Sequence, residues 1–323
     1  MRKVKRGNLF LIGVMLINIS LTFVLFDMFH FQMNNTNLLY AIREVICPGI
    51  IIALFFLFTR QSPQKVFLFK PLSLKNVLLV IALTLTIIPI SGILNGIADF
   101  IFRNPGMTDQ IRAMSTGSSL VLALLITAVQ PAIIEELSFR GIVAHAYSDY
   151  DIKIMAIMSG LLFGMFHLNF NQFFGAAFFG TIAAFVLYYT KSIFATMLMH
   201  FLNNGLSVLI GHISTASFNA DQASLWPTGE PLAAIIIAIA IVIIILLIII
   251  AVDILLFRTT LKALAKYNKK RLGDELTVTF EGGAQTLKAT KENLKHLLFN
   301  PTFIAAAVIF LAFAIYVQIT GHF

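Results

Sequence analysis

Three short motifs place ionisable or amide side chains inside long apolar runs. The stretch PAIIEELSFRGI at 131–142 carries Glu135, Glu136 and Arg140 within six residues. FGMFHLNF at 163–170 carries His167 one helical turn after Phe163, and MHFLNNGL at 199–206 carries His200 and Asn204 four apart, with Asn203 beside them. A charge at the centre of a membrane helix costs roughly 2.5–3.5 kcal/mol on the insertion scale, so such groups mark function by default. Glu136 and Arg140 have the i,i+4 spacing of an ion pair. Glu135 is rotated about 100° from Glu136 and cannot share that arginine equally well. One carboxylate is thereby compensated, and the other is left to face a cavity. The plainer reading, a buried Glu–Arg pair that only docks two helices, accounts for Glu136 and Arg140 but leaves Glu135 unexplained. Pro131 removes the N–H that would bond the carbonyl of Thr127 and kinks the helix just before the acids.

A carboxylate beside imidazoles suits the activation of a water molecule. Ser138 and Ser159 lack a nucleophile-elbow context, and the chain has neither a GxGD motif nor the HExxH of a zinc site on one helix. Glu135 would act as general base, and one histidine would orient the water. A second histidine and an amide NH₂ would bond the oxyanion of a tetrahedral intermediate, each donor contributing a few kcal/mol in a dry site. That set describes amide hydrolysis without a covalent intermediate. Singly, His167 or His200 reads as a hydrogen-bonded core histidine; together with the acids they fall at a common depth. Counted from the inner ends of their spans, Glu135, His167 and His200 lie roughly 18, 21 and 14 Å deep at helical rise.

The elements that must hold these residues are membrane helices. Of 323 residues 59% are hydrophobic and 12% charged, and the mean hydropathy is +0.90, a composition that excludes a soluble globular domain. Nine apolar stretches of about spanning length occur at about 8–30, 38–59, 76–98, 118–147, 153–171, 172–190, 192–212, 232–257 and 302–320. The expected fold is therefore an all-α, polytopic transmembrane bundle of about nine spans. The first stretch is too long for a signal-peptide h-region, and no small-x-small cleavage site follows it. With Met1–Arg6 inside, the inner connections hold Arg60, Lys65, Lys70, Lys75, Lys153, Lys191 and the cluster from Arg258 to Lys295, against Arg103 and Arg112 outside. This asymmetry sets an N-inside, C-outside topology and explains the net charge of +8 without a nucleic-acid partner. Basic residues at 262–271 are placed to touch anionic headgroups. Arg43, Glu44 and Asp253 lie near span ends, from which they can snorkel. The single cysteine, Cys47, excludes an intrachain disulfide. The inner loop 258–300 begins helical and basic, 276–287 is a candidate hairpin, and Trp226 in the outer loop 213–230 is an interfacial anchor.

The chain resembles the CPBP family of CAAX-protease and bacteriocin-processing enzymes, whose eukaryotic branch is the type II CAAX prenyl endopeptidase. The likeness rests on EExxxR at Glu135–Arg140, FxxxH at Phe163–His167 and HxxxN at His200–Asn204, in that order and each on its own span. It implies an intramembrane glutamate protease with a helical bundle of eight or so spans around a wet, laterally open cavity. On the family pattern Glu135 and His167 activate the water, His200 and Asn204 stabilise the oxyanion, and Glu136 and Arg140 support Glu135. The chain then divides into N-terminal helices at 1–117, the catalytic core at 118–212, and C-terminal helices with the basic loop at 213–323. No cofactor is expected; zinc on Glu135, His167 and His200 is the alternative, disfavoured because the Asn204 amide makes a poor zinc ligand and a good oxyanion donor. The partners implied are membrane lipids and a protein or peptide substrate, such as a bacteriocin or signal-peptide precursor or a lipidated protein, at a bacterial plasma membrane. Two rival readings are a non-catalytic immunity or scaffold protein that retains the polar site, and a transporter. The transporter is opposed by the lack of an internal repeat and of paired broken helices.

Overall fold

The computed structural model describes residues 2–23, 36–103, 119–217, 232–277, 287, 288 and 290–320. Among these the extended elements are helices: α1 (Arg2–Thr22), α2 (Thr36–Thr59), the single turn α3 (Pro63–Val66), α4 (Leu74–Phe102), α5 (Leu120–Ala146), α6 (Ile152–Phe166), α7 (Phe170–Thr190), α8 (Ile193–Ser217), α9 (Leu232–Leu272), α10 (Lys291–Leu298) and α11 (Pro301–Thr320). Helix starts carry polar caps whose side chains accept a backbone N–H: Ser73 from Asn76, Ser119 from Leu122, Asp151 from Lys153, and Asn169 from Gln172. Three helices end on a basic residue with φ in the left-handed region, Arg60 at 54°, Arg103 at 42° and Lys191 at 52°, where a cation also meets the negative end of the helix dipole.

Six of these helices are long and apolar enough to cross a membrane: α1, α4, α5, α7, α8 and α11. The chain is an all-α, polytopic bundle, as its hydropathy leads one to expect. Two expected boundaries shift. The stretches at 153–171 and 172–190 are not divided at 171: α6 stops at Phe166, and its 15 residues reach only about 22 Å, short of a hydrocarbon core of about 30 Å. The stretch at 232–257 belongs to a helix of 41 residues, about 60 Å long, so α9 continues well beyond any bilayer. The expected hairpin at 276–287, the outer loop with Trp226, the Arg112 segment and the side chains of Arg43 and Glu44 lie outside what is described. Leu287 itself pairs with the backbone of 149–151, its N–H donating to Asp149 and its carbonyl accepting from Asp151.

The basic loops gather at one end of the bundle. Lys3 bonds Ser148 and Asp149 beyond α5, Ser192 donates to the Lys70 carbonyl, Lys70 pairs with Glu275, and Arg271 donates to the Thr190 carbonyl. At the opposite end Gln318 donates to the Phe102 carbonyl and Asn171 to Asp99. Successive long helices thus alternate in direction, as the loop charges require. Polar side chains buried within the bundle work as clasps between helices: Asn8 accepts from the Tyr147 hydroxyl and donates to Thr302, joining α1, the end of α5 and the start of α11. Asn76 and Asn268 exchange two hydrogen bonds, 3.0 and 2.8 Å, between α4 and α9. Glycines let α6 and α7 approach closely: a Cβ on Gly180 would lie 3.0 Å from the Gly160 Cα and from the Phe163 Cβ.

Candidate active site

The acidic residues stand on a helix of changing pitch. α5 opens into two π-helical stretches, Leu125–Val129 and Leu137–Val143, with the α-helical turns Gln130–Glu136 between them. The first wide turn runs directly into Pro131, which has no N–H for the Thr127 carbonyl. The ring is accommodated by widening the helix without breaking it. In the second, Gly141 leaves room for the Phe67 ring from the segment after α3. Wide turns of this kind recur where a helix re-aims side chains at a site.

Glu136 and Arg140 are fully buried and pair across one turn, Nη1 to Oε1 at 3.1 Å. The same Oε1 accepts from His200 Nδ1 at 2.8 Å. Glu135, on the adjacent face, is 6% exposed, and its Oε2 lies 3.9 Å from His200 Nε2. That gap is too long for a direct hydrogen bond and short enough for one water to touch both atoms. His200 on α8 thus stands between both carboxylates of α5, with Nδ1 committed to Glu136 and Nε2 turned toward Glu135.

Phe163, which the sequence supplied only as a spacing residue, is the platform of the site. The Arg140 guanidinium lies 4.5 Å from its ring centre, and the rings of His167, His200 and Phe139 meet it edge-on at 5.0, 6.0 and 4.9 Å. Phe179 on α7, not recognised from the sequence, covers the arginine from 5.6 Å and the His200 ring from 5.1 Å. A buried guanidinium between two aromatic faces keeps some of the stabilisation it loses with its water.

His167 is placed in the turn between α6 and α7, not within a helix as expected. Its Nδ1 lies 2.9 Å from the Phe163 carbonyl, and because a carbonyl only accepts, Nδ1 carries the proton and Nε2 the lone pair. Leu168 follows with φ 57°. Asn169 then closes the turn, donating to the His167 carbonyl at 2.6 Å and accepting from Gln172 N–H at 2.8 Å. Its side chain satisfies backbone groups that the end of α6 and the start of α7 leave without helical partners.

Asn204 Nδ2 donates to the Thr127 carbonyl at 3.0 Å, the same carbonyl that Pro131 leaves without its helical partner. Asn203 Nδ2 donates to Asn204 Oδ1 at 3.0 Å, which fixes the amide orientation and leaves the second Asn204 N–H for another acceptor. Glu135, Glu136, Arg140 and His200 are therefore in direct proximity, His167 joins them through the Phe163 ring, and Asn204 ties α8 to α5 one turn along. Among the described residues no three His, Cys, Asp or Glu side chains are grouped to hold a metal ion.

Residues 117–206 match the family model of the Rce1-like type II CAAX prenyl endopeptidases. This stretch, a little over a quarter of the chain, contains all six of the residues above. No curated protein and no solved structure matches the chain.

Proposed function

We propose that this chain, an integral membrane protein with a CAAX-protease-like region at 117–206, is an endopeptidase that cleaves a membrane-associated protein or peptide with a water activated by Glu135. The observation that carries the proposal is the 3.9 Å separation of Glu135 Oε2 and His200 Nε2 beside a second glutamate already engaged by Arg140 and His200. Glu135 takes one proton from the water, and the Nε2 lone pair of His167 accepts a hydrogen bond from the O–H that remains and so orients it. The water oxygen adds to the scissile carbonyl, forming a tetrahedral oxyanion. Glu135 then returns its proton to the leaving nitrogen, the C–N bond breaks, and the new carboxylic acid passes its remaining proton to the amine, so that a carboxylate and an ammonium depart.

The oxyanion is met by the second Asn204 N–H and by His200. Because Nδ1–H of His200 is committed to Glu136, Nε2 donates only when the ring holds both protons. Glu136 and Arg140 act through His200 and are positioning residues. These steps are written without a metal, because the Asn204 amide is a poor zinc ligand and a good oxyanion donor.

The test is cleavage by purified protein together with N-terminal proteomics of membranes carrying the wild type or Glu135→Gln. The Gln variant folds in detergent and loses cleavage, and His167→Ala and His200→Ala behave alike. Proteolysis retained by purified Glu135→Gln overturns the assignment. A scaffold or immunity protein that kept the network for packing alone would preserve its cellular phenotype in that variant. Active protein that carries stoichiometric zinc, and loses zinc and activity together in chelator, refutes the metal-free steps.

A further inference from the structure

A cavity of about 380 Å³ opens at the basic end of the bundle, away from the acids, lined by Arg60, Gln61, Ser62, Lys65, Val66 and His145. It lies where the exit of α2, the turn α3 and the last turn of α5 meet. Its two most buried lining residues are Val66 and His145, each 1% exposed. Two cationic side chains, an imidazole, an amide and a hydroxyl converge there, and no carboxylate lines it. The backbone holds Arg60 to this place: its N–H donates to the Phe56 carbonyl at 2.9 Å, and its φ of 54° is uncommon for a residue other than Gly or Asn. The last turn of α2 beside the cavity presents Leu57 and Phe58, 68% and 79% exposed, a surface suited to acyl chains. The cationic cavity therefore lies next in the chain to an exposed apolar helix turn.

We propose that this cavity binds a phosphate group, supplied by an anionic phospholipid of the leaflet that faces the basic loops. Arg60 and Lys65 pair with the phosphodiester, the Gln61 amide offers a hydrogen bond, and the acyl chains run along Leu57 and Phe58, while the Ser62 hydroxyl is held by Gln64 Oε1 at 2.6 Å. The site is independent of the peptidase reading. A bound headgroup would bridge α2 to the end of α5, the helix that carries Glu135 ten residues earlier in the chain.

The test uses the full-length protein in nanodiscs of phosphatidylcholine containing phosphatidylglycerol, with lipid retention read by native mass spectrometry. A second arm titrates inorganic phosphate at ionic strength matched with chloride. The variants are Arg60→Asn, which suits a left-handed backbone, and Lys65→Gln, with Lys153→Gln as a basic-end control outside the cavity. Wild type retains phosphatidylglycerol over phosphatidylcholine, and each cavity charge removed weakens retention roughly fivefold, while the control matches wild type. Displacement by inorganic phosphate that is lost in the cavity variants upholds the phosphate site and makes its source soluble. Equal retention in wild type and the Arg60→Asn/Lys65→Gln double variant, or equal weakening by the control, overturns it.

Discussion

At the residue scale the decisive arrangement is one carboxylate with several partners beside another that faces the histidine. Glu136 is fully buried and receives both Arg140 and His200, so its charge is spent on holding the ring of His200 in place. Arg140 is equally buried and rests on Phe163. Taking two ions out of water is costly, and removing only one leaves the other stranded, typically with a loss of about 3–5 kcal/mol, whereas replacing both by neutral groups is often close to neutral. Arg140→Met therefore lowers the unfolding midpoint in detergent sharply, and Glu136→Gln/Arg140→Met recovers most of that loss. Cleavage stays abolished in the double variant, because His200 no longer has an anionic partner to fix its ring. A double variant as unstable as Arg140→Met alone would show that the two side chains do not act as a pair.

At the element scale the site depends on how α5 meets α8. Pro131 removes a helical hydrogen bond to Thr127, and the Asn204 amide from α8 takes up the same carbonyl at 3.0 Å. Asn204→Ala removes the side-chain donor from that carbonyl, at a cost of about 1–3 kcal/mol. Pro131→Ala restores a local N–H, so the Pro131→Ala/Asn204→Ala double variant is more stable than Asn204→Ala alone, with a coupling of about 1 kcal/mol in a thermal-unfolding cycle. It does not regain activity, since the second Asn204 N–H is also gone. Additive effects on stability would break the link between the two helices. Half of this device was legible in the sequence: Pro131 announces an orphaned carbonyl at Thr127, but nothing local says that a side chain 77 residues on will meet it. The long spans were legible because their apolar runs match bilayer thickness. The turn that ends α6 was not, since Asn169 satisfies its backbone from within an otherwise apolar stretch and hydropathy passes over it. The platform role of Phe163 was hidden for a related reason: an aromatic ring in an apolar helix has the same composition whether it packs against lipid or carries a guanidinium.

At the scale of the whole molecule the basic end behaves as one clamp. The long α9 lies outside the family match yet is fastened to α4 by the reciprocal Asn76–Asn268 amides, and the turn after it carries Glu275 to Lys70. Arg271 reaches the Thr190 carbonyl at 3.2 Å, and the adjacent Lys191 is 4% exposed with its ammonium 4.8 Å from the centre of the Tyr188 ring. Burial pushes the Lys191 ammonium down from 10.5 to about 8, with Glu275 opposing the shift and Lys70 adding to it. The sign of the linkage follows directly. Between about pH 8 and pH 10.5 the unfolded chain holds a proton that the folded chain has released, so raising the pH through this window favours the fold; below about 8 both states are protonated and Lys191 contributes no slope. Other lysines and tyrosines titrate in the same range, so the measurable quantity is the difference from Lys191→Met. The unfolding midpoint of the wild type rises relative to that variant from pH 8 to pH 10 and runs parallel to it from pH 6 to pH 7. A difference that stays flat across the upper window, or falls, would mean that Lys191 is solvated as an ordinary surface lysine and that the clamp does not close over it.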